Sequence, residues 1–162
     1  MTIRHIVISG GGPSGLLSFG ALQKLANEGY WARDNIQRIY GCSIGAIIAC
    51  MVALDYDWAW AQDYLVRRPW ERVLAIDERV LQAYSQQGIF GQEIFDETLG
   101  PLLRGKNMDV DITLREFCDR TGVDIRFTTV DLNAEKGAAL VQISQHTHGE
   151  MLLVQAVAAS SA

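Results

Sequence analysis

Two units of strand, glycine-rich turn and helix in the first third of the chain constrain its fold most. Residues 3–9 (IRHIVIS) are apolar and β-branched and run into glycines, which is typical of a buried parallel strand. Apolar positions at helical spacing follow over residues 16–25, and Gly29 predicts the end of that helix. Residues 36–40 predict a second strand and 44–54 a buried apolar helix. The pattern predicts an α/β fold with a mainly parallel sheet.

The rest of the chain predicts further helices and one pair of strands. Residues 57–108 predict helices and loops, which either cap a site or pack on the sheet as ordinary core. The aromatic residues of this segment are Trp58, Trp60, Tyr64, Trp70 and Tyr84. A capping box, Thr113 with Glu116, predicts a helix over residues 114–120 that ends at Gly122.

The last third predicts two strands and a final helix. Residues 123–131 and 138–143 are candidate strands joined by a polar turn, and residues 149–159 predict an apolar helix. No internal repeat or linker interrupts the sequence. We therefore expect one domain over residues 1–162.

Composition excludes several classes of function. Of 162 residues, 49% are hydrophobic and 20% charged, which predicts a globular domain with one core. The 14 Lys and Arg against 19 Asp and Glu give a net charge of −5, so nucleic acid is excluded as the main partner. The chain shows neither a signal peptide nor an apolar run long enough to span a bilayer, which predicts a cytoplasmic protein or one peripheral at membranes. Its three cysteines match neither a disulfide framework nor a zinc site, so we expect no metal.

The segment Gly41-Cys42-Ser43-Ile44-Gly45 matches GxSxG, the nucleophile elbow. Glycines on both sides of the serine allow a sharp turn between a strand and a helix. Both of these elements are predicted here, so Ser43 is the candidate nucleophile. The alternative is a serine that only caps the helix beginning at Ile44.

A second glycine-rich turn, GGGPSG, follows the first predicted strand. An acyl transfer reaction forms an oxyanion that needs backbone N–H donors, and Gly10, Gly11 and Gly12 can supply them. The same run also matches the GxGxxG pattern of dinucleotide sites. That interpretation requires an acidic residue near the end of a second strand, whereas Asp34 falls in a turn before it. A P-loop is excluded because no Gly-Lys-Ser/Thr follows.

Together these motifs resemble the patatin-like phospholipase family. They are GGGxxG ending at Gly15, GxSxG with Gly41 and Gly45, and the late segment VAASSA. The resemblance covers essentially the whole chain and implies a three-layer α/β/α fold. It also implies lipid acyl hydrolase activity through a Ser/Asp dyad without histidine or cofactor. Carried over by motif, Ser43 would be the nucleophile and Gly10, Gly11 and Gly12 the oxyanion hole.

The chain departs from the family pattern at two places. The family often has Arg or Lys where this chain has Ser14, and its dyad aspartate lies in a DG[GA] motif after the segment like VAASSA. No Asp-Gly pair occurs in this sequence. We expect a domain that is incomplete at its C-terminal end and a chain that is a fragment of a longer enzyme. The alternatives are a base supplied by a partner and a non-catalytic relative.

A base within the chain is a further hypothesis. Ser43, Asp131 and either His146 or His148 occur in the chain order of the α/β-hydrolase triad. In that fold the serine usually follows several strands, whereas Ser43 follows the second. The hypothesis requires the three side chains to meet at one end of the sheet.

The sequence thus predicts an acyl hydrolase acting through an acyl-Ser43 intermediate on a phospholipid or another acyl ester. Lipid substrates imply transient contact with a membrane or micelle surface, for which the aromatic residues of 57–84 are candidates. A lipid-binding or regulatory protein without turnover is the alternative, and a nucleotide-binding protein is the third hypothesis.

Overall fold

A four-stranded mixed sheet forms the centre of the protein, as seen in a computed structural model that describes residues 2–68, 92–135 and 137–161. Its strands are β1 (His5–Ile8), β2 (Arg38–Gly41), β3 (Asp124–Asp131) and β4 (Ala139–Ser144), in that spatial order. The first three strands are parallel, and β4 pairs antiparallel with β3. The predicted α/β fold with a mainly parallel sheet is confirmed.

Seven α-helices are described around this sheet. They are α1 (Gly15–Asn27), α2 (Ile44–Ala53), α3 (Trp58–Arg67), α4 (Gln92–Arg104), α5 (Leu114–Thr121), α6 (Gln145–His148) and α7 (Leu153–Ser161). The predicted capping box of α5 is present, and Gly122 ends that helix in the left-handed conformation, with φ at 70°. Gly29 follows the end of α1 with φ at 79°. Local sequence therefore determines several helix ends.

The two faces of the sheet differ in polarity. One face carries buried apolar side chains from neighbouring strands, such as Ile39 and Ile125, which are fully buried. The nearly all-apolar α2 and then α7 pack against this face, which places the core between them and the sheet. The opposite face carries Arg38, Tyr40 and Arg126, which are half-buried. The Ser43 elbow follows β2 at the carboxyl edge of this sheet.

An ion-pair cluster on the polar face joins β2 to β3 where both strands begin. Asp124 accepts hydrogen bonds from Arg126 at 2.7 Å and from Arg38 at 3.2 Å. Gln145 also donates to it at 3.3 Å. Burial alone raises the pKa of Asp124, but the hydrogen bonds and charge of Arg126, with further hydrogen bonds from Gln145 and Arg38, lower it below its ordinary value.

Replacing Asp124 by Asn is expected to destabilise the protein by about 2 kcal/mol at pH 7, because hydrogen bonds to a charged carboxylate are lost. A lowered pKa contributes stability above the unfolded pKa, near pH 4, and loses it as pH falls through the folded pKa. Urea unfolding at pH 7 and pH 3 should show the gap to wild type closing at the lower pH. Asp131→Asn is the control, since Asp131 is exposed and, within the part of the chain that the structure describes, accepts only from the backbone of Asn133. A gap that is unchanged at pH 3 would contradict this assignment.

The final helix begins later than predicted. Residues 149–159 were expected to form it, but α7 starts at Leu153 and a separate short helix, α6, precedes it. The backbone N–H groups of Leu114 and Arg115 donate to the carbonyls of Met151 and Gly149. These carbonyls satisfy the first turn of α5 and hold residues 149–152 out of the helix. A tertiary contact thus overrides the local apolar pattern.

The aromatic residues of α3 divide between core and surface. Trp58 packs edge-on against Phe19 and Trp31, as ordinary core. Trp60 is 45% exposed and stacks between Tyr56 and Tyr64. Trp70 and Tyr84 lie outside the described residues.

Helix α3 is tied to α4 around a proline. Pro101, inside α4, has no N–H to donate to the carbonyl of Glu97. The guanidinium of Arg68 donates to this carbonyl instead, and the hydroxyl of Tyr64 donates to the neighbouring carbonyl of Thr98 at 2.7 Å. The two helices are therefore held as a pair.

Candidate active site

Ser43 lies at a sharp turn between β2 and α2 in a strained backbone conformation. Its φ is 54° and its ψ is −126°, a combination that is costly for a residue with a side chain. The N–H groups of Gly45 and Ala46 donate to the carbonyls of Cys42 and Ser43, so the helix begins directly after the turn. The hydroxyl of Ser43 makes no hydrogen bond with any described residue, which leaves it free to act on a ligand. The geometry is that of a nucleophile elbow.

The glycines of this turn are required by close backbone contacts. A Cβ on Gly45 would lie 2.4 Å from the carbonyl oxygen of Ile8, and one on Gly41 would lie 2.6 Å from the carbonyl oxygen of Gly45. Both contacts are with backbone atoms, which cannot swing away as a side chain does. Gly41 and Gly45 therefore allow α2 to start directly against β1.

The second glycine turn lies directly beside the elbow. A Cβ on Gly10 would lie 3.3 Å from the Cβ of Ser43, and one on Gly15 would lie 2.5 Å from the side chain of Ile44. Gly12 has a positive φ of 53°, which favours glycine. Within the described residues, the N–H groups of Gly10, Gly11 and Gly12 donate to no acceptor. The structure thus places Gly10 against Ser43 and Gly15 against Ile44.

Ser14 shapes the glycine turn at the position where the resembling family often has a cation. Its hydroxyl donates to the carbonyl of Gly11 at 2.6 Å, and its N–H donates to the same carbonyl. The turn then continues into the 3-10 turn Gly12–Ser14 and into α1. A local hydrogen bond is therefore present at a position where the family often has Arg or Lys.

Two further groups at the elbow were not predicted from the sequence. The N–H of Ile44, the first residue of α2, donates to no acceptor in the described part of the chain and adds a fourth candidate oxyanion donor. The N–H of Ser43 donates to both the carbonyl and the hydroxyl oxygen of Ser160, on α7. The segment VAASSA carries this contact, but the sequence gives no sign that it reaches position 43.

A cavity of about 400 Å³ opens beside Ser43. It is lined by Gly12, Pro13, Leu16, Ser43, Ile44, Ile47, Ile48, Leu65, Ile94, Phe95, Thr98 and Ser161. No charged side chain is among these residues, and the hydroxyl of Thr98 donates to the carbonyl of Ile94 within α4. Helices α3 and α4 form one wall, as expected of helices that cap a site. The cavity fits an uncharged, apolar ligand.

The hypothesis of a triad within the chain fails on geometry. The ring of His146 lies 3.8 Å from Asp124, where β3 begins, whereas Asp131 is the last residue of that strand. Seven residues of extended chain separate these ends by about 23 Å. His148 belongs to the same short helix as His146. Asp131 therefore cannot orient either histidine toward Ser43.

The cysteines remote from the elbow are not nucleophiles. Cys50 and Cys118 are buried, and burial raises the pKa of the Cys118 thiol to about 11 and that of Cys50 further. Cys42 precedes Ser43 and is half-buried.

Among the described residues, no three His, Cys, Asp or Glu side chains converge as metal ligands would. Helices long and apolar enough to cross a bilayer are likewise absent from the described ranges.

Comparisons with known proteins show the fold and the family of this chain. ExoU from the type III secretion system of Pseudomonas aeruginosa, solved in complex with SpcU, is similar in structure to this chain. The TM-score is 0.67 at 18% identity, over 98% of this chain and 38% of ExoU. VipD from Legionella pneumophila matches with a TM-score of 0.54 at 16% identity, over 95% of this chain and 41% of VipD. These identities show the fold alone, and the chain spans about two fifths of the length of these proteins. No curated protein sequence matches significantly. A family model described as patatin-like phospholipase matches residues 6–162, and the chain belongs to that family.

Proposed function

We propose that the chain carries the nucleophile and oxyanion hole of a lipid acyl hydrolase. One observation supports this most strongly: the strained Ser43 elbow opens onto an apolar cavity, with unpaired glycine N–H groups beside it. The family match and the ExoU-like fold support the same class of reaction. The substrate class is a phospholipid or another acyl ester, with its acyl chain in the cavity.

In the proposed reaction, the oxygen of Ser43 attacks the ester carbonyl while a base takes its proton. The carbonyl oxygen becomes an oxyanion that accepts hydrogen bonds from the N–H groups of residues 10–12 and of Ile44. Collapse of this intermediate breaks the ester bond, the base returns its proton to the leaving alkoxide, and the neutral alcohol leaves an acyl-Ser43 ester behind. Water then hydrolyses that ester through a second oxyanion at the same place.

Among the described residues, no acid or histidine hydrogen-bonds to the hydroxyl of Ser43, so the structure assigns no base to this reaction. The family resemblance implies an aspartate carboxylate in this role. The same gap keeps the alternative of a non-catalytic lipid-binding protein open. Both alternatives place an acyl chain in the same cavity and differ only in whether Ser43 is activated.

A fluorophosphonate probe tests whether Ser43 is activated. Wild type should be labelled, and Ser43→Ala should lose the label entirely because phosphonylation needs the hydroxyl. Ser144→Ala, a buried serine at the end of β4, should be labelled like wild type. If wild type is folded and stays unlabelled while a fluorescent fatty acid binds, the result supports the lipid-binding alternative or a fragment that lacks its base.

We further propose transient contact with a lipid surface at the mouth of the cavity. Leu16 lines the cavity and is 47% exposed, and Leu17 is 76% exposed next to it on α1. Apolar side chains at a cavity mouth lower the free energy of an enzyme bound at an acyl-chain boundary. The sequence instead predicted that the aromatic residues of 57–84 make this contact. Trp60 is the exposed tryptophan of that segment among the residues that the structure describes.

Leu17→Asp is expected to weaken co-sedimentation with phosphatidylcholine vesicles by about tenfold, since it places a charge in the proposed interface. Trp60→Ala is the comparison variant for the aromatic segment. If the second variant loses binding and the first retains it, the contact lies on α3 instead. If wild type fails to co-sediment, there is no such contact.

A further inference from the structure

We propose that Ser160 is a positioning residue for Ser43, which it holds through the backbone without touching the substrate. The inference rests on the proposed role of Ser43 as nucleophile. Ser160 is 8% exposed and lies near the end of α7, 117 positions from Ser43 in sequence. Its hydroxyl oxygen lies 3.2 Å from the backbone nitrogen of Ser43 and 2.7 Å from the carbonyl oxygen of Thr128, on β3.

The direction of these hydrogen bonds follows from the chemistry of a hydroxyl. Serine has one O–H proton, and the carbonyl of Thr128 can only accept, so the proton points toward Thr128. The lone pairs of the same oxygen are then left to accept the N–H of Ser43. The carbonyl of Ser160 accepts that N–H as well, at 3.1 Å. Ser160 thus joins the sheet to the elbow by a fixed chain of donors and acceptors.

This arrangement fixes the bond rotation that matters most at the elbow. Relative to α2, which begins at Ile44, the N–H of Ser43 turns with the φ of Ser43, which is held at 54°. Strained backbone persists only where the surrounding structure over-determines it, and two acceptors from one residue do so here. Because the direction of the Ser43 side chain depends on this φ, the contact determines where the nucleophile lies in the cavity.

A second contact anchors Ser160 itself. The hydroxyl of Thr129 on β3 donates to the carbonyl of Ala159, the residue before Ser160. Neighbouring residues of β3 therefore bind neighbouring residues of α7, which restricts sliding of the helix along the strand. Ser160 acts from a rigid support, as a group that positions a nucleophile must.

The experiment compares Ser160→Ala with Ser144→Ala. Both remove a buried serine hydroxyl that makes hydrogen bonds, but among the described residues the hydroxyl of Ser144 bonds only to Thr147. For each variant we would measure the melting temperature, the rate of fluorophosphonate labelling at Ser43 and the hydrogen exchange of the Ser43 amide. Labelling of Ser160→Ala should be slowed by about ten- to a hundredfold, the effect of a nucleophile misplaced by up to an ångström. Ser144→Ala should be labelled at the wild-type rate.

Ser160→Thr retains the hydroxyl. If its melting temperature is close to that of wild type, it should be labelled at most of the wild-type rate. The Ser43 amide should exchange at least about tenfold faster in Ser160→Ala alone, because one acceptor is lost. Wild-type labelling rates and amide protection in folded Ser160→Ala would overturn the proposal. If wild type itself is not labelled, Ser43 is not activated in this chain, and the amide exchange still decides whether Ser160 holds the elbow. Unchanged exchange then overturns this inference too.

Discussion

Alanine at position 45 is expected to destabilise the protein by more than about 4 kcal/mol, an effect large enough to unfold many domains. The added Cβ would lie 2.4 Å from the carbonyl oxygen of Ile8 and 2.8 Å from that of Ser9. Both atoms belong to backbone at the end of a strand in the sheet, so α2 would have to move away from β1. Overpacking that the structure cannot relax has this consequence.

Urea unfolding followed by circular dichroism measures the effect of Gly45→Ala. The matched control is Gly20→Ala, because position 20 lies within α1 and a Cβ there meets no atom within 4 Å. Alanine is the better helix former, so the control should be stabilised by up to about 1 kcal/mol. If Gly45→Ala unfolds within 1 kcal/mol of wild type, α2 does not start against β1 as described.

Glycine at position 43 is expected to abolish the proposed ester hydrolysis and to stabilise the fold at the same time. Removal of the nucleophile should lower esterase activity by at least about 10³-fold. The φ of 54° at Ser43 costs about 1–3 kcal/mol for a residue with a Cβ, and glycine relieves that strain. Glycine also costs about 0.5–1 kcal/mol in unfolded-state entropy, so the net gain in unfolding free energy should be about 1 kcal/mol.

Thermal unfolding with and without the substitution checks this second prediction, and ester hydrolysis is measured on the same samples. Ser43→Ala separates the two effects, since it removes the hydroxyl but retains the strained Cβ. It should be as inactive as Ser43→Gly without the rise in melting temperature. Equal melting temperatures for the two variants would mean that position 43 stores no strain.

Local sequence was sufficient to predict the elements nearest the site. GxSxG and GGGPSG each occur between a short apolar strand and a helix, and the sequence pattern shows this order of strand, turn and helix directly. The capping box of Thr113 and Glu116 is likewise local. These features are confirmed because their cause lies within a few residues of chain.

Other features depend on contacts that no local pattern contains. The start of α7 is set by bonds between residues 149–151 and the first turn of α5. Trp58 and Trp60 are two residues apart and equally aromatic, yet one packs in the core and the other on the surface. The role inferred for Ser160 depends on Thr128 and Ser43, both far from it in sequence.

The contact between Ser43 and Ser160 also bears on when the site forms during folding. It joins residues 117 positions apart, so its formation carries a large entropy cost of loop closure. The packing of β3 and α7 must offset this cost before the contact can form. A nascent chain that has only just exposed β1, β2 and α2 carries both motifs but has no partner for the N–H of Ser43. Because this contact joins residues so far apart in sequence, the Ser43 turn reaches its final conformation only late in synthesis.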